Sequence, residues 1–440
     1  MKKLLIKNGY VIDPKSGKNG HKDILISNRK IEKIAPSIAL EDCGVSISKK
    51  TGLPKATELR VVDADGLLIA PGLVDVHVHF RDPGFTDKED IYTGAKAAAK
   101  GGFTSVVMMA NTKPAIDSVE TMKYVLDKGR ETAINVYACG NVTKGLKGEE
   151  LTDMDALAAA GAVGFTDDGI PLINEDIVKQ AMKKTAQLDM PISFHEEDPS
   201  VIDNNGINRG KASEYFGIGG SPRTAEINMI ERDIKLAEGI RASIDIQHIS
   251  TKEGVQLVRE AKAAGMSIHA EATPHHFSLT EEAAIEHGTL AKMNPPLREE
   301  ADRRAIIEGL VDETIDMIAT DHAPHTAEEK ARELTKAPSG IIGLETALSL
   351  GITNLVGAGY MTINKLIKLM STNPAAVYHL DAGYIAENGP ADIILVDTQA
   401  SEVYEKESIA SKASNTPFIG CELKGKVMMT ICRGEVAYEA

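Results

Sequence analysis

Eight short apolar runs recur along the middle of the chain, with helical segments between them. They are Leu73–Phe80, Ser105–Ala110, Asn135–Gly140, Ala162–Phe165, Ile192–His195, Ile244–His248, Ser267–Ala272 and Asp316–Asp321. Most begin roughly 30 residues apart, the length of one strand–helix unit. Between them, Lys88–Lys100, Glu175–Gln187 and Thr251–Ala264 carry apolar residues at helical spacing. Gly101 and Gly265 follow as helix-ending glycines. Eight strand–helix units in series predict an α/β chain folded as a (β/α)8 barrel of TIM type. A doubly wound open sheet is the competing arrangement.

The two flanks have a different texture. Lys2–Lys7, Asp23–Ser27 and Lys30–Ile34 read as strands separated by Asn-Gly and Asn-Arg turns. Residues 36–60 are polar, with Lys49, Lys50, Gly52 and Pro54, and read as a surface excursion. From Asp381 the tail returns to strands at Asp392–Val396, Lys426–Cys432 and Gly434–Tyr438. Chain ends often lie close together, so one small composite β-sandwich built from both ends is expected. The division is then 1–68 and 381–440 for the composite β-domain and 69–380 for the barrel.

A chain of 440 residues suits one large domain with an accessory one. No apolar run approaches the ~20 residues of a bilayer span. Lys7 breaks the apolar stretch at the N-terminus far short of a signal-peptide core. A cytoplasmic protein without a membrane partner is expected. The formal charge of −15 argues against a nucleic-acid partner, which needs a basic face. Cys43, Cys139, Cys421 and Cys432 form no C-x-x-C pair and read as free buried thiols.

His77 and His79 are two apart on a strand, so both imidazoles point to one face. Neutral imidazole is the commonest metal ligand, although two ordinary strand histidines would look the same. His195, His248 and Asp321 each end a further apolar run, and Asp167 and Asp168 follow another. Catalytic groups of a (β/α)8 barrel sit at those carboxyl ends. Nitrogen and oxygen ligands without thiolate suit a catalytic zinc, with manganese or another divalent ion as the alternative. Four histidines and two aspartates exceed what one tetrahedral ion uses, which points to two metals sharing a carboxylate.

In these residues the chain resembles the amidohydrolase superfamily, which has two histidines on strand 1, one each on strands 5 and 6, and an aspartate on strand 8. More specific segments make it similar to dihydroorotases of the bacterial class I type. They are His77–Gly84, Met108–Pro114, Phe165–Gly169, Pro274–Phe277, Asn294–Arg298 and Thr320–His325. Leu5–Gly9 and Gly389–Asp397 resemble the two halves of the superfamily's composite β-domain. One departure stands in Ala337-Pro338-Ser339-Gly340, where the family's substrate loop has Phe in place of Ser339.

The resemblance implies that His77, His79 and Asp321 hold a first zinc. Asp168, or its neighbour Asp167, then bridges to a second zinc completed by His195 and His248. Many relatives bridge with a carboxylated lysine, but the run from Gly161 to Asp168 contains no lysine. That weighs against a hydantoinase. The implied reaction interconverts dihydroorotate and N-carbamoyl-L-aspartate, in pyrimidine biosynthesis. Asp321 is the implied catalytic residue, accepting a proton from the attacking water and giving it to the leaving nitrogen. His79, Arg81, Asn111, Asn294, His325, Ser339 and Gly340 are the implied substrate contacts. Arg81 and Asn111 would meet the substrate carboxylate, for which a guanidinium fork is suited. His275, His276 and His322 are expected to support rather than bind the metals. The charged segment Thr326–Lys336 is a candidate lid, with an ordinary exposed loop as the alternative. A homodimer is expected, and association with an aspartate transcarbamoylase is left open. The rivals are another cyclic amidohydrolase (hydantoinase, dihydropyrimidinase, allantoinase) and a non-catalytic scaffold for a transcarbamoylase.

Overall fold

The computed structural model describes residues 3–46, 48, 55 and 58–440. All eight central runs form strands: β6 (Leu73–Val78), β7 (Phe103–Met108), β8 (Asn135–Ala138), β9 (Phe165–Thr166), β10 (Pro191–Phe194), β11 (Ser243–Ile246), β12 (Ile268–Ala272) and β13 (Met317–Ile318). They pair in parallel as β6-β7-β8 and as β9-β10-β11-β12-β13. Parallel bridges Gly140–Phe165 and Val78–His322 join the two sheets at both seams. The strands therefore close on themselves in chain order. This is the expected barrel, and the open doubly wound sheet is excluded.

Every residue of β6 is buried, as a barrel strand covered by helices should be. Its period of two sorts the side chains. Val74, Val76 and Val78 enter apolar clusters, which leaves Asp75, His77 and, just past the strand, His79 for the barrel interior. Asp75 fastens the seam: its carboxylate accepts from the Thr320 amide at 3.1 Å and the Thr320 hydroxyl at 2.5 Å. It also accepts from the His77 amide at 3.1 Å. The covering helices include Ile91–Lys100, Glu175–Leu188 and Lys252–Ala263. After the first of these the expected stop shifts by one residue. Gly101 stays helical at φ −75°, and Gly102 takes the left-handed turn at φ +91°.

The two chain ends meet in one eight-stranded mixed sheet. Its strands are β1 (Lys3–Asp13), β2 (Lys18–Ser27), β3 (Lys30–Ala35), β4 (Leu59–Asp63), β5 (Leu68–Pro71), β14 (Ile393–Val403), β15 (Glu422–Cys432) and β16 (Glu435–Glu439). The order is β16-β15-β14-β5-β1-β2-β3, with β4 also on β1. The join between the ends is β5 against β14, antiparallel, from Leu68–Val396 to Pro71–Ile393. Leu4, Ile6, Ile24 and Ile26 from one end share a core with Ile393, Leu395, Met429 and Ile431 from the other. Asp392 ties this sheet to the barrel by accepting from Asn135 Nδ2 at 2.8 Å and the Arg433 amide at 2.6 Å.

Lys2, Lys49, Lys50, Gly52 and Pro54, part of the predicted first strand and surface excursion, lie outside the described residues. Among the described ones, Leu40–Cys43 forms a short 3-10 turn that buries Cys43. The four thiols are free as expected, but Cys421 is exposed rather than buried. Among the described residues no helix is long and apolar enough to cross a membrane.

Candidate metal centre

His77, His79, Asp168, His195, His248 and Asp321 converge at the carboxyl end of the barrel. The predicted strands ran into these residues. In the structure His77 lies inside β6, whereas β10, β11 and β13 end at Phe194, Ile246 and Ile318, before His195, His248 and Asp321. His248 at φ +33° and Asp321 at φ +48° are left-handed, and so is Arg81 at φ +59°. Non-glycine residues in that region cost of order 1–3 kcal/mol and cluster at functional sites. Here the turn swings each side chain back over the barrel mouth.

Two groups of donor atoms each lie within 4.8 Å of one another. One is His77, His79 and Asp321; the other is His77, Asp168 and His248. His79 Nε2 is 3.0 Å from Asp321 Oδ1 and 3.4 Å from Asp168 Oδ2. His77 Nε2 is 3.4 Å from Asp168 Oδ1 and 3.6 Å from Asp321 Oδ1. His195 belongs to neither tight group. Its Nδ1 is nevertheless 2.9 Å from His248 Nε2 and 3.8 Å from Asp168 Oδ1. His77 Nε2 and Asp168 Oδ1 are buried with no hydrogen-bond partner. Orphaned buried lone pairs on adjacent ligands are costly unless something fills the space between them. Divalent cations fit this donor set.

The electrostatics agree. Burial opposes a charge on His77, but the carboxylates of Glu271 and Asp168 outweigh it and raise the imidazole well above its ordinary range. Burial likewise opposes a charge on Asp168, and His77, His79 and His195 hold its carboxyl well below the usual value. His195 is raised, against burial, by Glu197 and Asp168. His248 is lowered well below its ordinary value by burial and by His195 and His77.

Asp167 and Asp168 part company. Asp168 faces the imidazoles. Asp167 turns to the 141–143 loop, where its carboxylate accepts from the Val142 amide at 2.9 Å, the Thr143 amide at 3.1 Å and Asn141 Nδ2 at 3.1 Å.

The cleft above the donors has a volume of about 320 Å³. All of the expected substrate contacts line it: His79, Arg81, Asn111, Asn294, His325, Ser339 and Gly340. Several are also engaged with the protein itself. Asn111 Oδ1 accepts from His79 Nδ1 at 3.0 Å, and its Nδ2 donates to the Asp168 carbonyl at 3.1 Å. Asn111 thus orients two of the donor residues. Arg81 donates through Nε to the Pro324 carbonyl at 3.3 Å. His325 Nε2 is 2.8 Å from the Ser339 carbonyl. Burial and the nearby cations Arg81, Lys330 and Lys88 push His325 down to about 3, so it is a neutral donor there. Asn294 Nδ2 lies 3.3 Å from His195 Nε2.

His276 Nε2 is 3.1 Å from the Pro295 carbonyl, and His322 Nδ1 accepts from the Gly343 amide at 3.1 Å. Both support loops, as anticipated. The segment 326–336 is mostly exposed, with Ala331, Arg332, Glu333, Thr335 and Lys336 all facing solvent. It contains the capped helix Ala327–Lys330, and Lys330 is buried.

Sequence reasoning missed the carboxylates behind the ligands. Glu271 Oε2 accepts from His77 Nδ1 at 2.9 Å, and Glu197 Oε2 from His195 Nε2 at 3.2 Å. Their signal was available: Glu271 is a lone acid between alanines in a barrel strand, and Glu197 follows a strand-ending histidine by two. Asn415 had no such signal. It accepts from the His325 amide at 3.0 Å and donates to the Ala323 and Gly340 carbonyls at 3.0 Å each.

Residues 66–254 match the model of a family described as Dihydro-orotase-like. The chain is 50% identical over 436 residues to the dihydroorotase of Clostridium acetobutylicum, covering 99% of each. It is 52% identical over 437 residues to that of Clostridioides difficile (99% of this chain, 100% of the relative). With the dihydroorotase of Lactococcus lactis the identity is 49%, again over 99% of each chain. Among solved structures, an L-hydantoinase (dihydropyrimidinase) from Arthrobacter aurescens superposes with a TM-score of 0.85 at 23% identity, over 100% of this chain and 96% of that one. A dihydropyrimidinase from Brevibacillus agri gives 0.83 at 22% identity, over 99% and 95%. At that identity the likeness is one of fold.

Proposed function

The chain belongs to the dihydroorotase family, and from that premise we propose that its barrel-mouth cleft interconverts (S)-dihydroorotate and N-carbamoyl-L-aspartate. The observation that carries this reading is the pairing, within one cleft, of orphaned metal-donor atoms with an arginine fork. A cyclic ureide bearing a carboxylate needs both: a site for amide hydrolysis and a cation for its acid group.

In this reading His77, His79 and Asp321 hold one zinc, His195 and His248 a second, and Asp168 lies between them. When bound, such metals supply carbonyl polarisation and a water of lowered pKa. The chain's own residues do the rest. Asp321 accepts the proton of the attacking water and returns it to the ring nitrogen as the amide bond breaks. Arg81 receives the substrate carboxylate in a planar fork. Asn111 keeps His79 and Asp168 in register. Asn294, His325 and the backbone at Ser339–Gly340 meet the ring, so replacing the family's Phe by Ser339 leaves the backbone contact intact. The division of the chain into barrel and composite β-domain, a cytoplasmic location and a homodimeric assembly belong to the same reading.

Purified protein assayed on dihydroorotate, dihydrouracil, hydantoin and allantoin tests the substrate. Dihydroorotate should be preferred, and Arg81→Lys should lower kcat/KM on it by at least ~10-fold with bound metal unchanged. Preference for dihydrouracil or hydantoin, or an unaltered kcat/KM, would defeat the reading.

A further inference from the structure

Two buried lysines stand behind the segment that brings Ser339 and Gly340 to the cleft. Lys292 is 3% exposed and Lys330 5%. Among the described residues neither forms an ion pair with a carboxylate. Their partners are backbone carbonyls of one short stretch. Lys292 Nζ donates to Leu334 at 2.9 Å and Ala337 at 2.7 Å. Lys330 Nζ donates to Pro338 at 2.9 Å and Gly340 at 3.0 Å. The Gly340 amide returns a bond to the Lys292 carbonyl at 2.8 Å.

Burying ammonium groups without counter-ions is expensive. Burial, with Lys292 alongside and Glu329 opposing, brings Lys330 down to about 7, and burial lowers Lys292 as well. Around Lys330 the titratable groups are Lys292, Glu329 and His325, with Lys88 paired to Glu329 at 2.7 Å. Apolar side chains of the same length would fill this space with less penalty. What they could not do is fix four carbonyls. The tolerance for movement here is small. Gly340 sits at φ +115°, and a Cβ on it would lie 2.6 Å from Ala323 Cβ.

We propose that Lys292 and Lys330 are positioning residues that clamp residues 334–340 against the cleft, setting the Ser339–Gly340 backbone and the Ser339 carbonyl that His325 meets. The clamp's effect on substrate rests on the dihydroorotase reading; its effect on the loop does not.

Lys330→Met and Lys292→Met test it. Amide exchange of the metal-free protein without substrate reads the loop directly. Exchange at Ala337 and Gly340 should quicken by about tenfold or more, while the barrel strands keep their protection. With metal, KM for dihydroorotate should rise by about tenfold with kcat within about threefold and bound zinc unchanged. If one variant fails to fold, the other reads its own half of the clamp. Unchanged exchange over 334–340, or equal acceleration throughout the chain, overturns the clamp. Faster loop exchange with an unchanged KM overturns its role in substrate binding. Wild-type protein inert toward dihydroorotate overturns the substrate reading, and the exchange measurement still decides the clamp.

Discussion

The Nδ1 of His77 lies 2.9 Å from Glu271 Oε2, and both side chains are completely buried. A carboxylate accepts, so Nδ1 carries a proton and Nε2 is the nitrogen that faces Asp168 and Asp321, a ligand once any proton on it has left. The choice of nitrogen is made one layer behind the metal donors. Asn111 makes the same choice for His79 through its Oδ1 at 3.0 Å. His195 is held the opposite way round, with Nε2 toward Glu197 and Nδ1 toward His248.

Glu271→Leu should therefore weaken zinc binding by about 10–100-fold, whereas Glu271→Gln, which keeps an acceptor, should lose less. Competition with a chelator of known affinity measures both. Equal affinity in Glu271→Leu and the wild type would show that His77 needs no partner.

The adjacent aspartates should separate cleanly. Asp168→Asn should lose bound zinc and activity. Asp167→Asn puts an amide where the Val142 and Thr143 amides donate, and should cost about 1–3 kcal/mol of stability with zinc retained. Denaturant melts beside elemental analysis check this. The reverse pattern would make Asp167 the residue between the metals.

Asp167 and Asp168 also mark how far the sequence was legible. Strand spacing located the barrel, and strand-end chemistry located six residues that converge at its mouth, because period two and period 3.6 are local signals. Which of two neighbours faces inward depends on a turn closed by residues 141–143, from a different strand–helix unit. Asn415 lies 90 residues downstream of His325 and 75 downstream of Gly340, so nothing near it predicts their contact. β11 and β13 end before their apolar runs do, and beyond those ends His248 and Asp321 adopt left-handed backbone, a choice imposed by the site rather than by local propensity. The clamp at Lys292 and Lys330 was equally hidden, since a lysine in a charged segment reads as solvated.

Metal entry should expel protons. Burial notwithstanding, Glu271 and Asp168 raise His77 well above its ordinary value, and Glu197 and Asp168 raise His195. Both therefore hold a proton to higher pH than a free imidazole does. Raised values also mean that these histidines stabilise the metal-free fold fully below the unfolded pKa of ~6.5, a share lost as pH rises through the folded values. Zinc must displace those protons, so affinity should rise with pH. Calorimetry in buffers of different ionisation enthalpy should find about one to two protons released per subunit at pH 7, fewer as pH climbs. Zinc uptake without proton release at pH 7 would contradict the charge state assigned to the pair.

Asp321 is the proposed meeting point of metal holding and proton transfer, and the two can be pulled apart. Its Oδ1 lies 3.0 Å from His79 Nε2 and 3.6 Å from His77 Nε2, and it lines the cleft beside Arg81 and His325. Asparagine keeps the size and can offer its carbonyl oxygen to zinc, but it cannot take up a proton near neutral pH. Asp321→Asn should fold, bind dihydroorotate and keep at least the zinc held by His195 and His248. Its turnover should fall by a factor of at least ~100, the low end for losing a general acid–base. His195→Ala should differ by losing one zinc equivalent along with activity. Bound zinc and turnover measured together for both variants decide the matter. Should Asp321→Asn keep more than about a tenth of wild-type turnover, the proton travels through another group. His325, which lines the cleft and sits 2.8 Å from the Ser339 carbonyl, is then the first residue to replace.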